Sequence, residues 1–128
     1  MMSAYKYTPT VAIDFDGVIH SYVSPFTKAS EILDPPVEGI KEVINDLHQR
    51  GFKVVVMSSR CLGDGGKDAI INYLNLHDIV VDDVTHEKVG AIAYIDDRAI
   101  TFDGKVDGLV ERIINFSPWN RKKKQRSE

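Results

Sequence analysis

The chain has 128 residues, 43% of them hydrophobic and 27% charged, with a formal net charge of −3. That describes one globular domain with enough apolar residues for a core, and it excludes a disordered or fibrous chain and any global attraction to nucleic acid or membrane. A single cysteine, Cys61, excludes an internal disulfide, and no apolar run nears the roughly 18 residues of a spanning helix. The opening stretch MMSAYKYTPT has no apolar leader, so the cytoplasm is the expected location.

In chain order, Val11–Phe15 reads as a buried strand. Val37, Ile40, Val43, Ile44 and Leu47 then recur at helical spacing, with Pro35-Pro36 at the entrance and Gly51 past the end. Lys53–Ser58 is a second strand, continuously apolar and so expected to be covered on both faces. Lys67–Leu74 follows as a helix, Ile79–Val84 as a short strand and Ala91–Asp97 as another strand. Thr101–Val106 reads as extended or turn, and Leu109, Val110, Ile113 and Ile114 mark a last helix. This alternation predicts an α/β fold, a Rossmann-like three-layer sandwich with a central parallel sheet. Residues 1–118 would form a single domain, and 119–128 a basic, flexible tail.

Polar residues gather at the carboxyl ends of these strands, where open parallel sheets bind ligands. Asp14 and Asp16 close the first strand, Ser58, Ser59 and Arg60 the second, and Asp96 and Asp97 the one from Ala91. Residues two apart on a strand share a face, so Asp14 and Asp16 repel each other. Carboxylates so crowded stay ionised only beside a cation, and all-oxygen ligands suit Mg²⁺ with a phosphorylated ligand. Lys88, shortly before the second acidic strand, would offset the acids. Ser58 or Ser59 would donate to a phosphoryl oxygen. Metal, anion clamp and an aspartate able to act as nucleophile or base are the parts of phosphoryl transfer.

AIDFDGVIH, VVVMSSR, Lys88 and YIDDRA, in that order, resemble the four motifs of the haloacid dehalogenase superfamily, chiefly Mg²⁺-dependent phosphatases. Through FDGVIHSY, DPPVEG, SSR, GG and YIDDRA the chain also resembles small proteins of this type from phages and bacteria. The resemblance implies that Asp14 attacks phosphorus, and that Asp16 protonates the leaving alcohol and then deprotonates the hydrolytic water. It implies a phosphoryl contact from Ser58 and a steadying role for Lys88. Mg²⁺ would be held by Asp14, the Asp16 backbone carbonyl and Asp96, with Asp97 a ligand through water or one step behind. Aspartate at position 16 favours a phosphatase over the family's ATPases.

Two features depart from the family pattern. Val89 follows Lys88 where many relatives have proline, leaving Lys67 as a rival lysine, and either Ser58 or Ser59 could face the phosphate. Ser59, Arg60, Gly17 and His20 are the expected substrate-side residues, His20 belonging to the loop over the site. Gly63–Gly66 could offer amides to an anion or simply cap a helix. His48, His77 and His86 have no metal-site spacing, and Cys61 has no evident base.

Val18–Pro36 is long enough only for a minimal cap, which leaves the site open. Three readings follow. The first is a Mg²⁺-dependent phosphomonoesterase acting on a small phosphorylated metabolite such as a nucleotide. The second is the same chemistry on a nucleic-acid terminal phosphate, with the basic run Arg121–Arg126 as the docking element. The third is a non-catalytic binding or regulatory module that keeps the site's appearance. No membrane partner is expected.

Overall fold

A computed structural model of the chain describes residues 8–121. Residues 122–128, most of the expected basic tail, lie outside the described residues, as do residues 1–7. Four strands form one sheet: β1 (Thr10–Asp14), β2 (Lys53–Met57), β3 (Asp83–Thr85) and β4 (Ala93–Ile95). They lie in the order β3-β2-β1-β4 and every pair is parallel. The helices are α1 (Ile40–Gln49), α2 (Gly66–Leu76) and α3 (Leu109–Ile114), with a 3-10 turn at Ser59–Leu62. This is the α/β Rossmann-like arrangement that the strand–helix alternation predicts. No described helix is long and apolar enough to cross a membrane.

The sheet steps from β1 to β2 to β3 in one direction, then returns to set β4 on the other side of β1. Such a reversal opens a crevice at the strands' carboxyl ends. The register aligns those ends. Asp14 pairs with Met57, Met57 with Thr85, and Ile13 with Ile95, so Asp14 and Asp96 emerge side by side.

β1 and β2 carry the core. Val11, Ala12, Ile13, Val54, Val55 and Val56 are all buried, as a continuously apolar run demands of a strand covered on both faces. Phe15, Ile19, Ile44 and Ile70 are fully buried beside them. Each such side chain contributes about 1.5–3 kcal/mol relative to exposure. Helix α1 turns Ile44 into the core, with Ile40 and Leu47 partly buried against it, whereas Val43 faces outward. It starts at Ile40 rather than at Val37 because Gly39 takes the left-handed conformation (φ +87°), through which a right-handed helix cannot run.

Helix α2 begins against the 3-10 turn. A Cβ on Gly66 would lie 1.8 Å from the Arg60 carbonyl oxygen, so only glycine lets the two elements meet. Strand β3 is shorter than the apolar run Ile79–Val84 predicts. The Asp82 side chain accepts the Val54 N–H (2.7 Å), and its own N–H reaches the Val54 carbonyl (2.8 Å), so regular pairing starts one residue later. Strand β4 also shrinks, to Ala93–Ile95, and all three residues are exposed. Helix α3 buries none of its residues.

Candidate metal and phosphoryl site

The chain leaves β1 in a tight reversal. The Phe15 carbonyl accepts from both Ile19 N and His20 N at 3.0 Å, and Gly17 N donates to the His20 carbonyl at 2.7 Å. Gly17 takes the left-handed conformation (φ +87°), and a Cβ there would lie 2.0 Å from an Asp97 carboxylate oxygen. Glycine after the paired acids therefore lets the β4 acids close onto β1.

Asp14, Asp96 and Asp97 each present an oxygen within 4.8 Å of the others. Both Asp97 oxygens are buried, and no hydrogen-bond donor among the described residues reaches them. Their neighbour is the Asp14 carboxyl, which is pushed up to about 8. Burial is the largest cause, followed by the closeness of the Asp97 side chain and by the charges of Asp96, Asp97 and Asp16. A buried carboxylate without a donor, facing two more acids, fits a divalent cation with oxygen ligands.

The Asp16 side chain stands outside that trio and is held in a different way. Its Oδ1 lies 2.7 Å from His20 Nδ1, and its Oδ2 accepts from Arg60 Nε at 2.7 Å. His20 Nε2 accepts the Asp34 backbone N–H (3.1 Å), so the imidazole proton sits on Nδ1 and is donated to Asp16. Burial works to raise the Asp16 pKa, but the two hydrogen bonds and the Arg60 charge outweigh it and the net shift is downward. Asp16 is therefore an ionised carboxylate with both oxygens engaged.

Three of the four expected substrate-side residues turn inward. Arg60 is 4% exposed, and its Nη1 donates to the carbonyls of Lys28, Ala29 and Glu31 at 3.0–3.1 Å. It ties the loop of residues 21–36 to Asp16 instead of reaching toward solvent. His20, 1% exposed, supports Asp16 from behind. Gly17 has its N–H bonded to His20 and its carbonyl to the Trp119 indole N–H (2.7 Å), so neither backbone group is free for a substrate. Ser59 is exposed and lines the open crevice.

That crevice has a volume of about 460 Å³. Asp14, Asp16, Asp96 and Asp97 line it with Ser58, His86 and Arg98. Ser58 is buried, and its Oγ accepts the Arg60 N–H (3.1 Å), which leaves the hydroxyl hydrogen for another partner. Lys88 is not brought to the acids: its Nζ lies 5.0 Å from the Tyr94 ring centroid, a cation–π contact outside the crevice. Lys67 lines a separate groove beside β3. In Gly63–Gly66, the Gly66 N–H is spent on the Gly63 carbonyl (3.1 Å).

Sequence reasoning passed over His86 and Arg98. Their positions just after β3 and just after Asp97 are carboxyl-end positions, the signal that found the acids. It also set the domain boundary before Trp119, whereas Trp119, Asn120 and Arg121 are docked on the loop Gly17–Ser24. Asn120 Nδ2 donates to the carbonyls of Ser21 (2.9 Å) and Tyr22 (3.0 Å). Arg121 Nη1 donates to the Tyr22 carbonyl, and its guanidinium lies 4.3 Å from the Tyr22 ring centroid.

No protein-family model matches the chain, and no curated protein matches it. Among solved structures it is similar to a chain in the "Structure of Pnkp1/Rnl/Hen1 complex", at 18% identity and TM-score 0.50 over 91% of this chain and 37% of that one. A second similarity is to a chain in the "Structure of the Pnkp1/Rnl/Hen1 RNA repair complex", at 19% identity and TM-score 0.50, over 87% and 32%. The chain thus spans about a third of the chains it resembles, and the likeness is one of fold.

Proposed function

We propose that the chain is a divalent-metal-dependent phosphomonoesterase of the haloacid dehalogenase type, with Asp14 as the nucleophile. The observation that carries the reading is the donorless, buried Asp97 carboxylate set against Asp14 and Asp96. Such a group is costly unless a cation completes it.

Mg²⁺ held by Asp14, Asp96 and Asp97 would neutralise the acids and reduce the repulsion between Asp14 and an incoming phosphate. An Asp14 oxygen then attacks phosphorus, the bond to the leaving alcohol breaks, its oxygen takes a proton from solvent in the open crevice, and an aspartyl phosphate forms. Water attacks the same phosphorus, Asp16 accepts its proton and returns it to solvent, and phosphate leaves with Asp14 restored. The Ser58 hydroxyl donates to a phosphoryl oxygen, while Arg98 adds positive charge on the open side. Lys88 joins only by leaving Tyr94.

The open crevice suits a phosphate whose alcohol points to solvent, as on a small phosphorylated metabolite such as a nucleotide. One of the similar structures is of an RNA repair complex, which adds a nucleic-acid terminal phosphate to the substrates worth testing. Phosphate release from nucleotides, sugar phosphates, an aryl phosphate and phosphate-ended oligonucleotides tests the reading, with Mg²⁺ or chelator and beside Asp14→Asn. Turnover lost with the metal or in the variant supports it. No Asp14-dependent turnover on any of them favours the binding module.

A further inference from the structure

Among the described residues, only Tyr22 and Asp78 have a positive φ without being glycine, and of the two only Tyr22 (φ +55°) lines the crevice. A bulky residue in the left-handed region costs about 1–3 kcal/mol and persists only where its surroundings hold it there. Here they do. Asn120 Nδ2 and Arg121 Nη1 both donate to the Tyr22 carbonyl. The guanidinium of Arg121 lies over the ring at 4.3 Å from its centroid and that of Arg60 at 5.9 Å, and the His20 ring is 5.7 Å away. With guanidinium groups over the ring, its edge and hydroxyl are what it offers the crevice. That hydroxyl bonds to no described residue and is not buried. The fold thus fixes in place a donor that it does not itself use.

The same neighbours place Tyr22 beside Asp16. His20 Nδ1 and Arg60 Nε each stand 2.7 Å from an Asp16 oxygen. In the proposed reaction the ester oxygen departs in line with the attacking Asp14 oxygen, and the water that follows enters from that same side. Asp16, which takes the water's proton, faces this side, and Tyr22 stands with it. The departing oxygen gains negative charge as its bond to phosphorus breaks. Both Asp16 oxygens already accept from His20 and Arg60, so a donor for the departing oxygen has to come from another residue.

We infer that Tyr22 is a catalytic residue whose hydroxyl donates a hydrogen bond to the departing ester oxygen. This rests on the phosphomonoesterase reading and assigns the leaving-group contact of that site. The electrons of the broken P–O bond stay on the departing oxygen, the Tyr22 hydrogen bond stabilises that charge, and a proton from solvent completes the alcohol. Tyr22 keeps its own proton, so nothing has to be restored before the next turnover. The arrangement suits esters of weakly acidic alcohols, such as sugar and nucleoside phosphates. A nitrophenyl ester, whose phenolate is stable in water, has little need of it.

Tyr22→Phe removes the hydroxyl alone and keeps the ring beside its arginine and histidine neighbours. The test compares kcat/KM in Mg²⁺ for nitrophenyl phosphate, phenyl phosphate and an alkyl phosphate, with the wild-type chain, Tyr22→Phe and Asp14→Asn. This parameter covers the steps through departure of the alcohol, so slow breakdown of the aspartyl phosphate does not mask the effect. The loss in Tyr22→Phe should grow with the basicity of the leaving alcohol. An enclosed oxyanion donor is worth about 10²–10³, and at this open rim we expect a loss under about twofold on the nitrophenyl ester and about tenfold or more on the alkyl ester.

An equal loss on all three esters, which a displaced loop would give, overturns the inference. So does the absence of any loss on the more basic esters. In both cases turnover that depends on Asp14 leaves the phosphomonoesterase reading standing. No Asp14-dependent turnover on any of the three overturns that reading and the inference with it.

Discussion

Asp14 sits where an isolated carboxylate would not stay ionised, because burial and the Asp97, Asp96 and Asp16 carboxylates all favour its protonated form. Its pKa rises from an ordinary 3.8 to about 8, so between those values the unfolded chain gives up a proton that the metal-free fold keeps. This site's contribution to stability therefore falls as pH rises from about 4 to about 8 and levels off beyond. Asp14→Asn removes the ionisation, so it should raise the melting temperature of the chelator-treated protein. The gain should be near zero at pH 4 and largest at pH 8, while turnover disappears. A gain that is the same at both pH values would show that the asparagine acts by packing. Arg60 is the opposite case, a buried cation whose Nε and Nη1 are all bonded. Arg60→Met would leave Asp16 and three loop carbonyls without their donor and should cost about 3–5 kcal/mol in urea unfolding. Motif and strand-end logic found the acids at 14, 16, 96 and 97 from sequence alone. It could not find the partner of Asp16, because the bond from Arg60 spans 44 residues and follows from how the 3-10 turn is seated.

The loop of residues 21–36 has no helix or strand of its own and is held by side chains. Asp34 accepts from the Ser24 hydroxyl (2.6 Å) and the Ser24 N–H (2.9 Å), and its own carbonyl takes the Tyr73 hydroxyl (2.9 Å). Asp34→Ala opens the base of this loop, and tryptic cleavage after the exposed Lys28 should speed up severalfold relative to cuts elsewhere. Equal rates before and after the change would mean that the bonds from Arg60, Tyr73, Asn120 and Arg121 hold the loop without the Asp34 carboxylate. Gly17→Ala works at the join between this loop and β1. The added methyl would stand 2.0 Å from Asp97 Oδ2 on a backbone at φ +87°, so Asp97 must move away from Asp14. Weaker Mg²⁺ binding by calorimetry, with the fold kept by circular dichroism, is the expected result. Elements with strong periodicity and two covered faces, β1, β2, α1 and α2, were legible in the sequence because burial set both their pattern and their structure. β3 and β4 were overdrawn. An apolar run does not show that Asp82 will take a backbone N–H in place of a strand partner, nor that β4 lies at an edge with its residues exposed.

Across the whole molecule, the parallel sheet brings residues from three distant stretches of chain to one mouth, and the acids among them destabilise the fold until something neutralises them. Composition and the strand–helix rhythm made the architecture legible. The positions of Lys88, His86 and Trp119 depend on loops whose paths no periodicity encodes. If the acidic trio is a cation site, binding must appear as stability of the entire chain, because a ligand that binds only the folded state stabilises it by RT ln(1 + [L]/Kd). At Mg²⁺ about a hundredfold above Kd that is about 2.7 kcal/mol, a rise of several degrees in melting temperature for a domain of this size. The ion must displace the proton that Asp14 holds up to about pH 8, so each unit of pH below that weakens binding by up to about tenfold. The Mg²⁺-induced rise should thus be large at pH 8, small at pH 6, and absent at both in Asp97→Asn. Thermal unfolding of the two proteins with Mg²⁺ or with K⁺ of matched ionic strength decides the point. If K⁺ reproduces the rise, or Asp97→Asn keeps it, the acids are screened by salt in general and hold no specific ion.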